Sequence, residues 1–162
     1  MRRGILLLST VLLALAVVPA ATAVKPYREL IPPDPDQPLT ACGFPVLGHV
    51  NGPEISTMFF DKEGDQVKQI EAFPGQTATL TNLDTGKSIT VSDSGSTQAL
   101  AGRDGSIKVS IKGHGPLPDF VSDQPGLWYL DGGRVVFVVD ADDNVTSLSI
   151  TGNVLNLCDQ LD

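Results

Sequence analysis

The sequence predicts an all-β fold, a single antiparallel β-sandwich or barrel of about eight or nine short strands. Three observations predict it. Residues 107–112, Ile-Lys-Val-Ser-Ile-Lys, alternate apolar and polar without a break, the period of a half-buried strand. Clusters of Asn, Asp, Gly and Pro interrupt the chain at intervals of roughly 8–12 residues, and the 162 residues hold sixteen glycines and twelve prolines. No window carries the 3.6-residue apolar period of an amphipathic helix; at most residues 154–161 suit a short terminal one.

Residues 1–23 read as an export leader. Arg2 and Arg3 precede an apolar run from Ile5 to Val18, and small residues follow, ending in Ala21-Thr22-Ala23. This order predicts a secretory signal peptide cleaved between Ala23 and Val24. The run is shorter than the roughly 20 residues a membrane-spanning helix needs, which disfavours a retained N-terminal anchor. No other segment is long and apolar enough to span a membrane as a helix. Cleavage would leave 139 residues, enough for one domain with its own core. The leader holds two of the eleven basic residues and none of the nineteen acidic ones, so the formal net charge moves from −8 to −10. Such a surface repels phosphate backbones and anionic lipid, which argues against nucleic acid as a partner.

Residues 24–41 read as a flexible proline-rich linker, because Pro26, Pro32, Pro33, Pro35 and Pro38 alternate with charges and show no apolar period. The folded domain is expected to span residues 42–162. Its only two cysteines, Cys42 and Cys158, stand near its ends. In an oxidising compartment they predict one disulfide, whose 116-residue loop is worth about 4–5 kcal/mol in the chain-entropy description. Leu39-Thr40-Ala41-Cys42 also resembles a lipobox, in which Cys42 would carry lipid. That reading requires the motif to follow the apolar run directly, yet charges and prolines intervene, and it would leave Cys158 unpaired.

Within the domain the first apolar stretch opens at Cys42. Strands are expected at 58–60 and 67–73, around Ala78 and Leu80, and around Ile89 and Val91. Further strands are expected at 107–112, 127–130, 135–139 and 145–150. Asn82 to Lys87 suits a tight hairpin, Gly132-Gly133 a second turn, and Asp140 to Asn144 a third. Residues 135–139, apolar on both faces, read as the most central strand.

Four segments, ACGFPV, TNLDTGKSITV, GGRVVFVVD and the closing Cys, resemble a group of uncharacterised small secreted all-β proteins of actinobacteria. The likeness covers most of residues 41–160. It implies secretion and an all-β domain, and carries no activity and no site residues.

Catalytic chemistry has little to stand on. The chain has two histidines, His49 in an expected loop and His114, and no G-x-S-x-G motif. Zinc-finger spacings, phosphate-cradling loops and dinucleotide-binding glycines are absent, so no cofactor is expected. No catalytic residue is assigned. The strongest cluster is the expected loop 113–120, in which His114 and Asp119 could face one cavity; an ordinary Gly-Pro crossover explains it better. Trp128 and Tyr129 could stack against a sugar ring, but they point to opposite faces of a strand, so one should be core and the other exposed. Asp140, Asp142 and Asn144 place oxygens at alternate positions, as a calcium loop begins. The sixth position is Val145 and the twelfth Thr151, so a plain hairpin turn fits better.

The leading expectation is a secreted, non-enzymatic β module that binds an extracellular partner, a glycan or a small ligand. An alternative is a small secreted hydrolase or isomerase using His114, Asp119 or Asp131, which needs two of these on one cavity. Another is a structural envelope component, which needs a sizeable exposed apolar face and no pocket.

Overall fold

The computed structural model describes residues 24–33, 36–122 and 124–162. The expected leader, with Ala23 at its cleavage point, lies outside the described residues. Described strands in the first half are β1 (Tyr27–Ile31), β2 (Gln37–Leu39), β3 (Val46–Asn51), β4 (Glu54–Phe60), β5 (Gln66–Phe73) and β6 (Thr77–Asn82). There follow β7 (Ser88–Ser92), β8 (Gly95–Ala101), β9 (Ile107–Pro116), β10 (Trp128–Val139) and β11 (Val145–Asn156), with a closing helical turn α1 (Cys158–Leu161). They form two antiparallel sheets, ordered β1-β4-β5-β8-β9-β10-β11 and β2-β3-β6-β7. Neither sheet closes on itself, so the architecture is sandwich-like rather than a barrel.

The described strands number eleven rather than eight or nine, and the reasons are local. Residues 24–41, expected as a free linker, contribute two edge strands. β1 pairs along β4 from Tyr27↔Met58 to Ile31↔Glu54, and β2 pairs with β3. Edge strands tolerate proline and charge, so Arg28, Glu29 and Pro38 do not prevent pairing. The Gly-Ser-Thr-Gln-Ala-Leu-Ala sequence of β8 has little apolar alternation and joins β5 to β9 through its backbone. The expected short helix at 154–161 is confined to Cys158–Leu161, since the β10–β11 ladder runs to Asn156.

Gly132-Gly133, expected as a turn, is a bulge inside one twelve-residue strand, β10. The register shifts between Asp131 and Gly133 against β11, and between Asp131 and Arg134 against β9. Positive φ at both glycines, 78° and 146°, allows the extra residue. Close backbone approach also demands glycine here: a Cβ on Gly133 would lie 2.1 Å from the Thr151 carbonyl oxygen, and one on Gly152 2.2 Å from that of Gly132.

The bulge shifts side-chain parity. Leu130 and Val135, five positions apart, would face opposite ways in a regular strand. Here they join Phe137 and Leu117 in one buried cluster. On the other face of the same strand, Tyr129 packs with Val46, Leu80, Leu157 and Leu161, which joins the two sheets. β10 is therefore buried on both faces only at Tyr129 and Leu130; Val136 and Val138 stay half-buried, and the strand sits one place from the sheet edge, not at its centre.

Cys42 and Cys158 form a disulfide with Cα atoms 5.2 Å apart, tying α1 to the start of β3's sheet. Asn82 reinforces this closure. Its Oδ1 accepts the N–H groups of Asp84 and Thr85 in the β6–β7 hairpin, and its Nδ2 donates to the Leu161 carbonyl at 3.0 Å.

Candidate ligand-binding cleft

The two sheets do not fill the space between them. On β3 the inward positions are Val46, Gly48 and Val50, and on β6 they include Ala78 and Leu80. Glycine at 48 and alanine at 78 remove side-chain volume where larger residues would close the gap. What remains is a cavity of about 310 Å³, walled by Leu39, Leu80, Val91, Leu127, Tyr129 and Leu157 among others. A second cavity of about 240 Å³ adjoins it and is more polar, with Glu54, Gln76, Lys112 and His114 in its wall. Val50, Asp93 and Pro116 line both.

Asp93 is the polar group common to the two cavities. It follows β7, and its backbone N–H donates to the Gln76 carbonyl at 2.8 Å, which fixes the turn. β9 makes room for its carboxylate with Gly115, where a Cβ would come within 2.8 Å of Oδ1. Among the described residues the carboxylate has neither a hydrogen-bond donor nor a salt-bridge partner. Burial raises its pKa above the ordinary carboxylate value, because the charged form loses water without gaining a countercharge. Beside it, Tyr129 Oη donates to the Ser92 carbonyl at 2.6 Å. Burial, and then the negative charges of Asp131 and Asp93, push the Tyr129 phenol upward.

The residues singled out from sequence fall in different places. His114 belongs to strand β9 rather than to a loop, because the ladder with β10 continues through His114↔Asp131 to Tyr129↔Pro116. Its Nδ1 lies 3.3 Å from Asp131 Oδ1, within ion-pair range, yet it is buried and makes no hydrogen bond. The ring lies close to Gly132 of the bulge. His114 lines the polar cavity and Asp119 the apolar one, so the fold does not bring them to a shared wall. Asp131 lines neither. Of the three groups named for the catalytic alternative, the fold brings His114 and Asp131 within 3.3 Å of each other and leaves Asp119 apart.

Trp128 and Tyr129 both contribute to the apolar cavity. Tyr129 is core at 4% exposure, as one of the pair had to be. Trp128 is half-buried rather than exposed, and its indole N–H donates to the Gln124 carbonyl at 3.0 Å. His49 stands on β3, not in a loop, with Nδ1 2.6 Å from Asp36 Oδ1 at the exposed side of the cleft.

The aspartate-rich turn after β10 is accounted for by its own backbone. Asp140 Oδ1 accepts the N–H groups of Asp142 and Asn144, both at 2.9 Å, and Asp143 takes a left-handed φ of 63°. These bonds hold the Asp140 carboxyl below its ordinary pKa. The Asp140 carboxylate, which a calcium ion would need, is turned to the hairpin, and among the described residues no three His, Cys, Asp or Glu side chains gather as a metal site.

Asp93 was not singled out from sequence. An Asp flanked by serines between two strands is an ordinary turn signal, so nothing local distinguishes it. No protein-family model, no curated protein and no solved structure matches this chain.

Proposed function

We propose that the chain is exported and that its inter-sheet cleft holds a small molecule with an apolar body and one polar group. The observation that carries this reading is the apolar cavity, about 310 Å³, whose wall includes the Asp93 carboxylate, unpartnered among the described residues. That volume lies at the lower end of the range for small-molecule sites, which combine apolar walls with a few placed polar groups. A glycan fits less well: sugars need many polar partners and an open aromatic face, and Trp128 is half-buried with its indole N–H already bonded.

The test uses the oxidised chain 24–162 and 2-phenylethanol, followed by methyl NMR at Leu80, Val91 and Leu157. Saturable shifts at these methyls are expected, and Ala78→Phe, which fills the cavity, should abolish them. Shifts that do not saturate, or that persist unchanged in Ala78→Phe, would overturn the reading.

A further inference from the structure

A half-buried carboxylate with no partner is an unusual thing for a fold to keep. Removing a charge from water costs free energy that a partner cation or hydrogen-bond donors normally offset. At Asp93 neither is present among the described residues, although three charged or titratable groups line the same polar cavity. Lys112 is exposed and forms no salt bridge with Asp93. His114 is turned to Asp131, and Glu54 carries the same sign as Asp93. From the apolar side, His49 is held by Asp36, and Asp119 is again acidic. The surroundings of Asp93 are thus short of positive charge, as is the whole chain at a net −8.

We propose that Asp93 receives the ammonium group of a small primary amine whose apolar body lies in the larger cavity against Leu80, Val91 and Tyr129. The position of Asp93, on the wall common to both cavities, places a negative charge at the end of an apolar slot. That is the complement of an amphipathic cation. A desolvated carboxylate favours such a ligand twice, because the incoming charge replaces lost hydration and the apolar walls strengthen the attraction. The chain's acidic field also concentrates cations around it. This assignment rests on the cleft being a ligand site, and deepens that reading by naming the ligand class.

The experiment compares 2-phenylethylamine with 2-phenylethanol, which share an apolar body and differ in charge, by calorimetry at pH 7. The amine is expected to bind at least about tenfold tighter to the native chain. Asp93→Asn should erase that preference while leaving 2-phenylethanol affinity within about twofold. A second measurement needs no variant: acidifying the native protein protonates Asp93, and the amine's advantage should collapse as it does. Equal affinities at pH 7, or a preference that survives in Asp93→Asn, would overturn the assignment. If 2-phenylethanol binds in the cleft and the amine gains nothing, only the amine assignment falls. If neither compound binds there, the cleft reading falls with it.

Discussion

Tyr129 and Ser92 lie 37 residues apart and in different sheets, yet the tyrosine hydroxyl donates to the serine carbonyl at 2.6 Å. This bond crosses the cleft at the residue before Asp93. It uses the core face of β10 to hold the end of β7, and so positions the carboxylate that both cavities share.

Tyr129→Phe keeps the ring in the core and removes only the donor. The Ser92 carbonyl loses a partner, and a stability loss of about 1 kcal/mol is expected in urea unfolding. The same variant should blunt the discrimination between amine and alcohol, because Asp93 is no longer held in place. A variant as stable and as selective as the native chain would show that the bond positions nothing.

Asp93 should leave a pH signature on stability. Its folded-state pKa is raised, so between the unfolded and folded values the native state binds more protons than the unfolded state. Stability from this group is present at pH below its unfolded value and is lost as pH rises through the folded one. Asp93→Asn should therefore unfold about 1–3 °C above the native chain at pH 7, with the difference shrinking on acidification. Melting curves in a pH series would show it, and a less stable Asn variant at pH 7 would contradict the desolvation argument.

The Cys42–Cys158 bridge closes a loop of 116 residues and fastens both the start of the domain and α1. Paired Cys42→Ser and Cys158→Ser substitution should lower unfolding free energy by about 4–5 kcal/mol in the chain-entropy description. Intact mass offers a direct check: if the proposed export and cleavage occur, residues 24–162 less two hydrogens is the expected species. A chain beginning at a lipid-bearing Cys42 would contradict the bridge and the cleavage site together.

The glycines divide into two kinds. Gly133→Ala would drive a Cβ to 2.1 Å from the Thr151 carbonyl oxygen, so a loss of about 3 kcal/mol or more is expected, or failure to fold. Gly86 also has positive φ, at 77°, but nothing lies within 4 Å of a Cβ there. Gly86→Ala should cost only the left-handed penalty of about 1–2 kcal/mol. Similar losses at the two positions would remove the case for a packed glycine bend.

Much of the fold was legible where the signal is local. The alternation of Ile107, Val109 and Ile111 announces β9, although Ile107 ends exposed and Ser110 buried, and Asn82 to Lys87 announces the β6–β7 hairpin, because those signals reside within a few residues. β1, β2 and β8 were not legible. Their pairing is dictated by exposed backbone groups on β4, β3, β5 and β9, which leave no trace in the pairing segments' own composition. In the site, Tyr129 and Trp128 were visible as aromatic neighbours of a strand. Asp93 was not, since its importance comes from what is missing around it.

By itself the sequence determined the all-β class, the hairpin turns and the pairing of its two cysteines. Each of these follows from side-chain alternation, from turn residues with special backbone freedom, or from simple arithmetic. Only the tertiary structure decided between sandwich and barrel, turned Gly132-Gly133 into a bulge, and set a carboxylate between two cavities. Those outcomes depend on which distant edges meet and how closely two backbones approach. Such energies are summed over contacts between remote segments, and a local pattern of residues does not carry them.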